Sequence, residues 1–110
     1  MEREQWSNCY NGGWGNLITP DSFAHPAKMA KGLVYRIITT GIERGWWERG
    51  SPLLDPFFGI GSTGIAGASL GMRVIGIELE PKFVALAQAK IELHRRQWEM
   101  LGRPIPTVIQ

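Results

Sequence analysis

Cysteine and histidine are scarce in this 110-residue sequence, and their scarcity limits the chemistry available to it. The single Cys9 cannot form an internal disulfide or supply the several thiolates of a structural zinc site. Its neighbours offer neither a base nor a cation, so we interpret Cys9 as a small hydrophobe rather than a nucleophile. His25 and His94 lie too far apart in the sequence to predict a metal cluster. We therefore expect no bound metal.

Long apolar runs are also absent. No stretch approaches the roughly 20 residues that a membrane-spanning helix needs, and residues 1–5 lack the charge and apolar core of a signal peptide. These absences predict a cytoplasmic protein without a membrane partner. Twelve Lys and Arg against ten Asp and Glu give a net charge of +2, which permits contact with nucleic acid but does not establish it.

The composition of the sequence is that of one small globular domain, with 44% hydrophobic and 20% charged residues. Residues 1–24 have no sustained period and are predicted to be an irregular lead-in. Residues 25–110 carry the organised pattern. Glycine is over-represented, and six of the 14 glycines fall in one stretch: Gly59, Gly61, Gly64, Gly67, Gly71 and Gly76.

Hydrophobic periodicity predicts an alternation of helices and strands. Apolar residues recur at helical spacing from about Pro26 to Arg44, where Gly45 ends the helix. The later elements are a short strand at 53–54 that stops at Asp55, a helix over 62–70, a strand over 73–79, a helix over 81–101 and the start of a strand at 107–110. This helix-β-α-β-α-β order is typical of a doubly wound parallel α/β sheet, here a partial one.

The most informative segment runs from Asp55 to Gly64, where a strand ends in an acid and leads through a glycine-rich turn into a helix. Gly59 and Gly61 remove the Cβ atoms that would keep a ligand from the backbone, and the helix start adds free N–H groups. Glu78 follows about twenty residues later, where a carboxylate can bind both hydroxyls of a ribose. These features predict a site for a nucleoside-containing cofactor.

Two cofactors fit the glycine pattern, and Asp55 discriminates between them. Gly59, Gly61 and Gly64 match the G-x-G-x-x-G string of dinucleotide sites, which indicates an NAD-dependent oxidoreductase as one alternative. A carboxylate at the strand end opposes a pyrophosphate but attracts the α-ammonium of a methionine, by on the order of 4 kcal/mol at ~4 Å before desolvation. S-adenosylmethionine is therefore favoured. In a purely structural alternative, the glycines serve helix–strand packing and Asp55 caps the turn.

Three segments resemble motifs of the amino-group DNA methyltransferases, which modify adenine N6 or cytosine N4. Phe23–Lys28 is similar to motif X, Asp55–Gly64 to motif I and Ile77–Pro81 to motif II, and the resemblance covers roughly residues 18 to 101. It implies a Rossmann-like methyltransferase fold, S-adenosyl-L-methionine as the cofactor, DNA as a partner and a place in restriction–modification.

The resemblance also implies a role for individual residues of the cofactor site. Those at the methionine end would be Asp55, Pro56, Phe57, Gly59 and Gly61. Thr63 and neighbouring N–H groups would bind the methionine carboxylate, and Glu78 would hold the ribose. His25, Pro26 and Lys28 would lie beside the same pocket, although an ordinary helix start with a solvated Lys28 is the alternative for that segment.

The sequence departs from the family pattern at motif IV, an Asp, Asn or Ser followed by Pro-Pro and an aromatic residue that holds the flipped target base. No Pro-Pro occurs here, so we assign no catalytic residue and expect a cofactor-binding fragment that has lost its C-terminal side. The alternative is a non-catalytic nucleoside-binding module that needs a separate catalytic or target-recognition chain. Either reading leaves one edge of the first strand open, which predicts marginal stability or self-association.

Overall fold

Helices and strands alternate along the chain, as the sequence predicts. The computed structural model describes residues 4–9 and 30–110. The elements are α1 (Lys31–Glu43), β1 (Pro52–Asp55), α2 (Ser62–Ser69), β2 (Arg73–Ile77), α3 (Pro81–Met100) and β3 (Thr107–Ile109). The N-terminal end of the predicted first helix and most of the predicted lead-in lie outside the described residues.

The three strands form one parallel sheet in the order β1-β2-β3. Leu53 pairs with Val74, and Gly76 lies between Asp55 on one side and Val108 on the other. Each crossover contains a helix, and because such crossovers are right-handed, α2 and α3 fall on the same face of the sheet. The predicted class, a partial Rossmann-like α/β fold, is confirmed.

The second strand is shorter than predicted. It ends at Ile77 rather than Leu79, although the Glu78 N–H still donates to the Ile109 carbonyl at 3.0 Å. The Glu78 side chain then accepts the N–H of Glu80 at 2.7 Å, which turns the chain out of the sheet toward α3. Leu79 is consequently 83% exposed, so its apolar character does not signal a strand position here.

One core lies between the sheet and the three described helices. Gly67 allows α2 to approach β2 closely, because a Cβ at Gly67 would lie 2.3 Å from Cγ2 of Val74. No described helix is both long enough and apolar enough to cross a membrane. The buried members of the core are Val34, Ile38, Phe58, Ile65, Ala66, Ala68, Met72, Val74, Ala87, Ile91 and Trp98.

The opposite face of the sheet, which we call the open face, carries Leu54, Ile75, Ile77 and Ile109. None of these residues belongs to the buried core of the described chain, and Leu54 and Ile109 are 60% and 49% exposed. β1 is an edge strand, since only β2 pairs with it among the described strands. The predicted open edge of the first strand is therefore present in the described part of the chain.

Candidate functional site

The predicted site residues of the β1–α2 turn and the end of β2 come together at one edge of the sheet. Asp55 is the last residue of β1, and Glu78 directly follows β2. Because the two strands are parallel neighbours, their carboxyl ends meet at this edge, and α2 begins beside them. This edge is where open parallel sheets bind their ligands.

Asp55 is held by two hydrogen bonds within its own turn. Its Oδ1 accepts the backbone N–H of Phe57 at 3.0 Å, and its Oδ2 accepts the hydroxyl of Thr63 at 2.7 Å. The first bond is the cap expected from the structural alternative. Each carboxylate oxygen can accept more than one hydrogen bond, so these contacts orient Asp55 and still leave it able to bind a cationic ligand group.

Glu78 connects the two loops of the site. Its Oε1 accepts the N–H of Gly59 at 3.0 Å, and its Oε2 accepts the N–H of Glu80 at 2.7 Å. The first of these bonds ties the glycine-rich turn to the end of β2. The carboxylate is thus fixed by backbone donors on both oxygens, each of which retains capacity to accept a further bond from a hydroxyl group.

The backbone of the turn requires glycine for a second reason that the sequence interpretation did not include. Gly59 and Gly61 have φ values of 57° and 88°, in the left-handed region that side chains disfavour. A Cβ on Gly61 would also come within 3.2 Å of the Cβ of Ala87 on α3. These glycines therefore shape the turn as well as opening its backbone to a ligand.

The N-terminus of α2 offers hydrogen-bond donors at the same place. The first N–H groups of a helix have no partner within it, and no side chain caps those of α2. The Ser62 hydroxyl is buried there without a hydrogen-bond partner among the described residues. These donors, together with the positive end of the helix dipole, favour a carboxylate or another anion.

A groove of about 180 Å³ runs between α1 and the free edge of β1 and reaches Asp55 and Thr63. Its walls are otherwise apolar and consist of Val34, Ile37, Ile38, Leu53 and Leu54. A larger cavity of about 480 Å³ lies between α3 and β3, but none of the predicted site residues lines it. Cavity size alone therefore does not locate the predicted site.

The structure describes some of the other predicted residues but not all of them. Pro56 and Phe57 are exposed on the turn, and Phe57 reaches 88% exposure. His25, Pro26 and Lys28 lie outside the described residues, although Val34, a few positions later in the sequence, lines the groove. No group of three or more His, Cys, Asp or Glu in the described part of the chain could hold a metal ion.

Sequence reasoning overlooked Phe58 and Gly76. Phe58 is 3% exposed and packs against Gly76 of β2, where an added Cβ would lie 2.1 Å from the ring. A glycine within a strand often marks such a close approach, and that signal was available in the run from Arg73 to Ile77.

Comparison with known proteins identifies the family of the chain. The sequence model of an N6 and N4 methyltransferase family, described as DNA methylase, matches residues 2–89. The chain is 29% identical over 89 residues to type II methyltransferase M2.DpnII of Streptococcus pneumoniae and 34% identical over 92 residues to type II methyltransferase M.HinfI of Haemophilus influenzae. It is 39% identical over 66 residues to type II methyltransferase M2.MboI of Moraxella bovis.

These alignments cover 81%, 83% and 60% of this chain but only 31%, 24% and 22% of the respective relatives. The chain therefore spans less than a third of the length of each. No solved structure matches it significantly. The matched range includes the three segments at 23–28, 55–64 and 77–81 and most of the described fold. The chain belongs to the family of N6 and N4 amino-group DNA methyltransferases.

Proposed function

We propose that this chain is the S-adenosylmethionine-binding part of a DNA methyltransferase that acts on adenine N6 or cytosine N4. The observation that carries the proposal is the meeting of Asp55 and Glu78 beside the glycine-rich turn, each held by a backbone N–H of that turn. Two oriented carboxylates at the ends of adjacent parallel strands suit a ligand with a cationic group and a ribose.

The donors and acceptors present match the parts of S-adenosylmethionine. Asp55 would bind the α-ammonium, and Glu78 would bind the two ribose hydroxyls. The N–H groups at the start of α2, with the buried Ser62 hydroxyl, would bind the methionine carboxylate. Thr63 was predicted to bind that carboxylate, but its hydroxyl donates to Asp55, so we propose that it orients Asp55 while its N–H faces the ligand. When bound, the cofactor supplies an activated methyl group on a sulfonium centre.

The remaining predicted residues would complete this site. Phe57 would offer an exposed aromatic surface beside the methionine end, with Pro56, Gly59 and Gly61 shaping the turn around it. His25, Pro26 and Lys28 would border the same pocket, as the family resemblance implies. A zwitterionic amino acid fits a carboxylate next to a helix N-terminus, whereas the two phosphates of NAD would meet the negative charge of Asp55.

A second candidate is a nucleoside-binding module that works with a separate catalytic or target-recognition chain. The exposed apolar residues of the open face favour it, because they offer surface to another chain. Self-association through the edge of β1 is the alternative, and it would pair the unpaired backbone groups of that strand. In either form, the substrate would be DNA and the protein would act in restriction–modification. The proposal also includes the cytoplasmic location predicted from the sequence.

Calorimetry with three compounds tests cofactor binding and the two carboxylates separately. We expect S-adenosylmethionine to bind and NAD not to bind. Asp55→Asn should weaken S-adenosylmethionine at least about tenfold, or roughly 1.4 kcal/mol, and leave methylthioadenosine unaffected, because that compound lacks the ammonium group. Glu78→Gln should weaken both compounds, since both carry the ribose.

Glu80→Gln is the matched control for these variants, because it removes a neighbouring exposed charge whose carboxylate makes none of the site contacts described above. Binding of NAD in preference to S-adenosylmethionine would contradict the proposal. Transfer of labelled methyl groups to DNA by the purified chain would favour the enzyme over the binding module. Transfer only after a second methyltransferase chain is added would favour the module.

A further inference from the structure

The two adjacent phenylalanines of the turn have opposite environments. Phe57 is 88% exposed, whereas Phe58 is 3% exposed and belongs to the core. The residues between β1 and α2 therefore do not form a uniformly solvated loop. The chain places one aromatic ring in solvent and the next one in the interior, between the sheet and α2.

Phe58 is buried against three glycines from three different parts of the fold. A Cβ on Gly76 of β2 would lie 2.1 Å from both Cγ and Cδ1 of the ring, and a Cβ on Gly64 of α2 would lie 2.7 Å from Cζ. A Cβ on Gly61 would lie 3.3 Å from Cε2. The ring thus extends from the strand to the helix and occupies space that any larger residue at Gly76 or Gly64 would need.

The backbone of Phe58 is fixed as firmly as its ring. Its N–H donates to the Ile77 carbonyl at 3.0 Å, and its carbonyl accepts the N–H of Gly61 at 3.0 Å. The residues on either side hold the two acids of the site, since Phe57 N–H donates to Asp55 and Gly59 N–H donates to Glu78. Phe58 is therefore the anchored residue between two donors that orient two different carboxylates.

We propose that Phe58, seated on Gly76, is a positioning residue that sets the orientation of Asp55 and Glu78 together. This inference rests on the proposed function, because the two carboxylates matter only if they bind the cofactor. Gly59 and Gly61 make the backbone of the turn conformationally free. Without a further restraint, the two N–H donors could move independently. A closely packed buried ring between them removes that freedom.

The test combines ligand affinity with amide hydrogen exchange in Phe58→Ala and Phe58→Leu. We expect Phe58→Ala to weaken S-adenosylmethionine at least about tenfold. Without ligand, the Phe57 and Gly59 amides should exchange at least about tenfold faster, while the Ile91 amide of α3, an internal reference, changes much less. Phe58→Leu should retain part of both properties, because a smaller apolar side chain still fills some of the space above Gly76.

Two further variants separate positioning from general stability. Met72→Ala removes a fully buried side chain just before β2, at the other end of the strand from Glu78, and should lower the melting temperature without a matching loss of affinity. Adding Gly76→Val to Phe58→Ala refills part of the space beside β2. We expect the double variant to melt higher than Phe58→Ala and to bind no better.

Affinity that follows the melting temperature across all of these variants would overturn the inference, as would unchanged exchange at Phe57 and Gly59 in Phe58→Ala. Failure of the wild-type chain to bind S-adenosylmethionine would instead contradict the proposed function. The exchange rates would then still decide whether Phe58 orients the two carboxylates.

Discussion

The two faces of the sheet carry side chains of similar apolar character but have different surroundings. On the face covered by the helices, Val74 is buried, and Leu53 and Val108 pack against the core. On the open face, Leu54 and Ile109 remain largely exposed. The residues alternate between these faces along each strand, so both environments occur within one short segment of sequence.

Strand composition and strand coverage are therefore separate properties. Parallel strands are ordinarily covered on both faces, and their sequences are apolar on both sides for that reason. β2 has that composition, yet of its two sides only the one that carries Val74 belongs to the described buried core. The difference agrees with the second candidate function, in which this chain works with a separate chain.

Placing the same charge on each face in turn should change the free energy of unfolding most on the covered face. Val74→Asp would bury an unpaired carboxylate in the core, and we expect it to cost about 4 kcal/mol or more, enough to unfold a small domain. Leu54→Asp puts the same group on the open face and should change the free energy of unfolding by less than about 1 kcal/mol. Urea unfolding followed by circular dichroism measures both.

Equal destabilisation by these two variants would show that the open face is covered in solution. The concentration dependence of unfolding would then identify the cover. A midpoint that rises with protein concentration indicates a second copy of the chain, whereas an invariant midpoint indicates a cover from within the chain.

A smaller effect is expected when charges are added to the open face and self-association of the chain through that face is measured. Replacing Leu54 and Ile109 together by Lys should weaken self-association at least about tenfold, about 1.4 kcal/mol, because it adds like charges to both surfaces of a symmetric contact. Sedimentation velocity over a concentration series measures the change. Lys substitution of Met100 and Leu101, exposed apolar residues at the end of α3, is the control and should leave association unchanged.

The element order could be predicted from sequence because each signal is local. Helical spacing, branched apolar runs and the glycines after α1 and α2 are sufficient to predict alternating helices and strands. The exact end of β2 could not be predicted, because it depends on the Glu78 carboxylate binding the Glu80 backbone. Composition favours continuing that strand through Leu79, whereas this side-chain contact turns the chain away.

The candidate site shows a similar division between local signals and tertiary contacts. The pattern of Asp55, the glycine-rich turn and Glu78 predicts that these groups meet, and the structure places them at one edge of the sheet. The pattern does not predict that Phe58 would be buried while Phe57 is exposed. That outcome depends on glycines at 64 and 76, whose positions beside the ring arise only once α2 and β2 are packed together.

The smallest effect is expected on the outer surface of the helices that cover the sheet. Glu92 and Arg95 form an exposed ion pair on α3 at 2.8 Å, and the hydrogen bond from Arg95 lowers the pKa of Glu92. A lowered pKa contributes stability above the ordinary glutamate range, and that stability is lost as the pH falls through the lowered value. Glu92→Gln should therefore remove a slight acid-side pH dependence and barely change the urea midpoint at neutral pH, since solvent screens the pair. Arg95→Gln should reproduce both results. A large loss at neutral pH in either variant would mean that surface charge, rather than burial, holds the covering helices on the sheet.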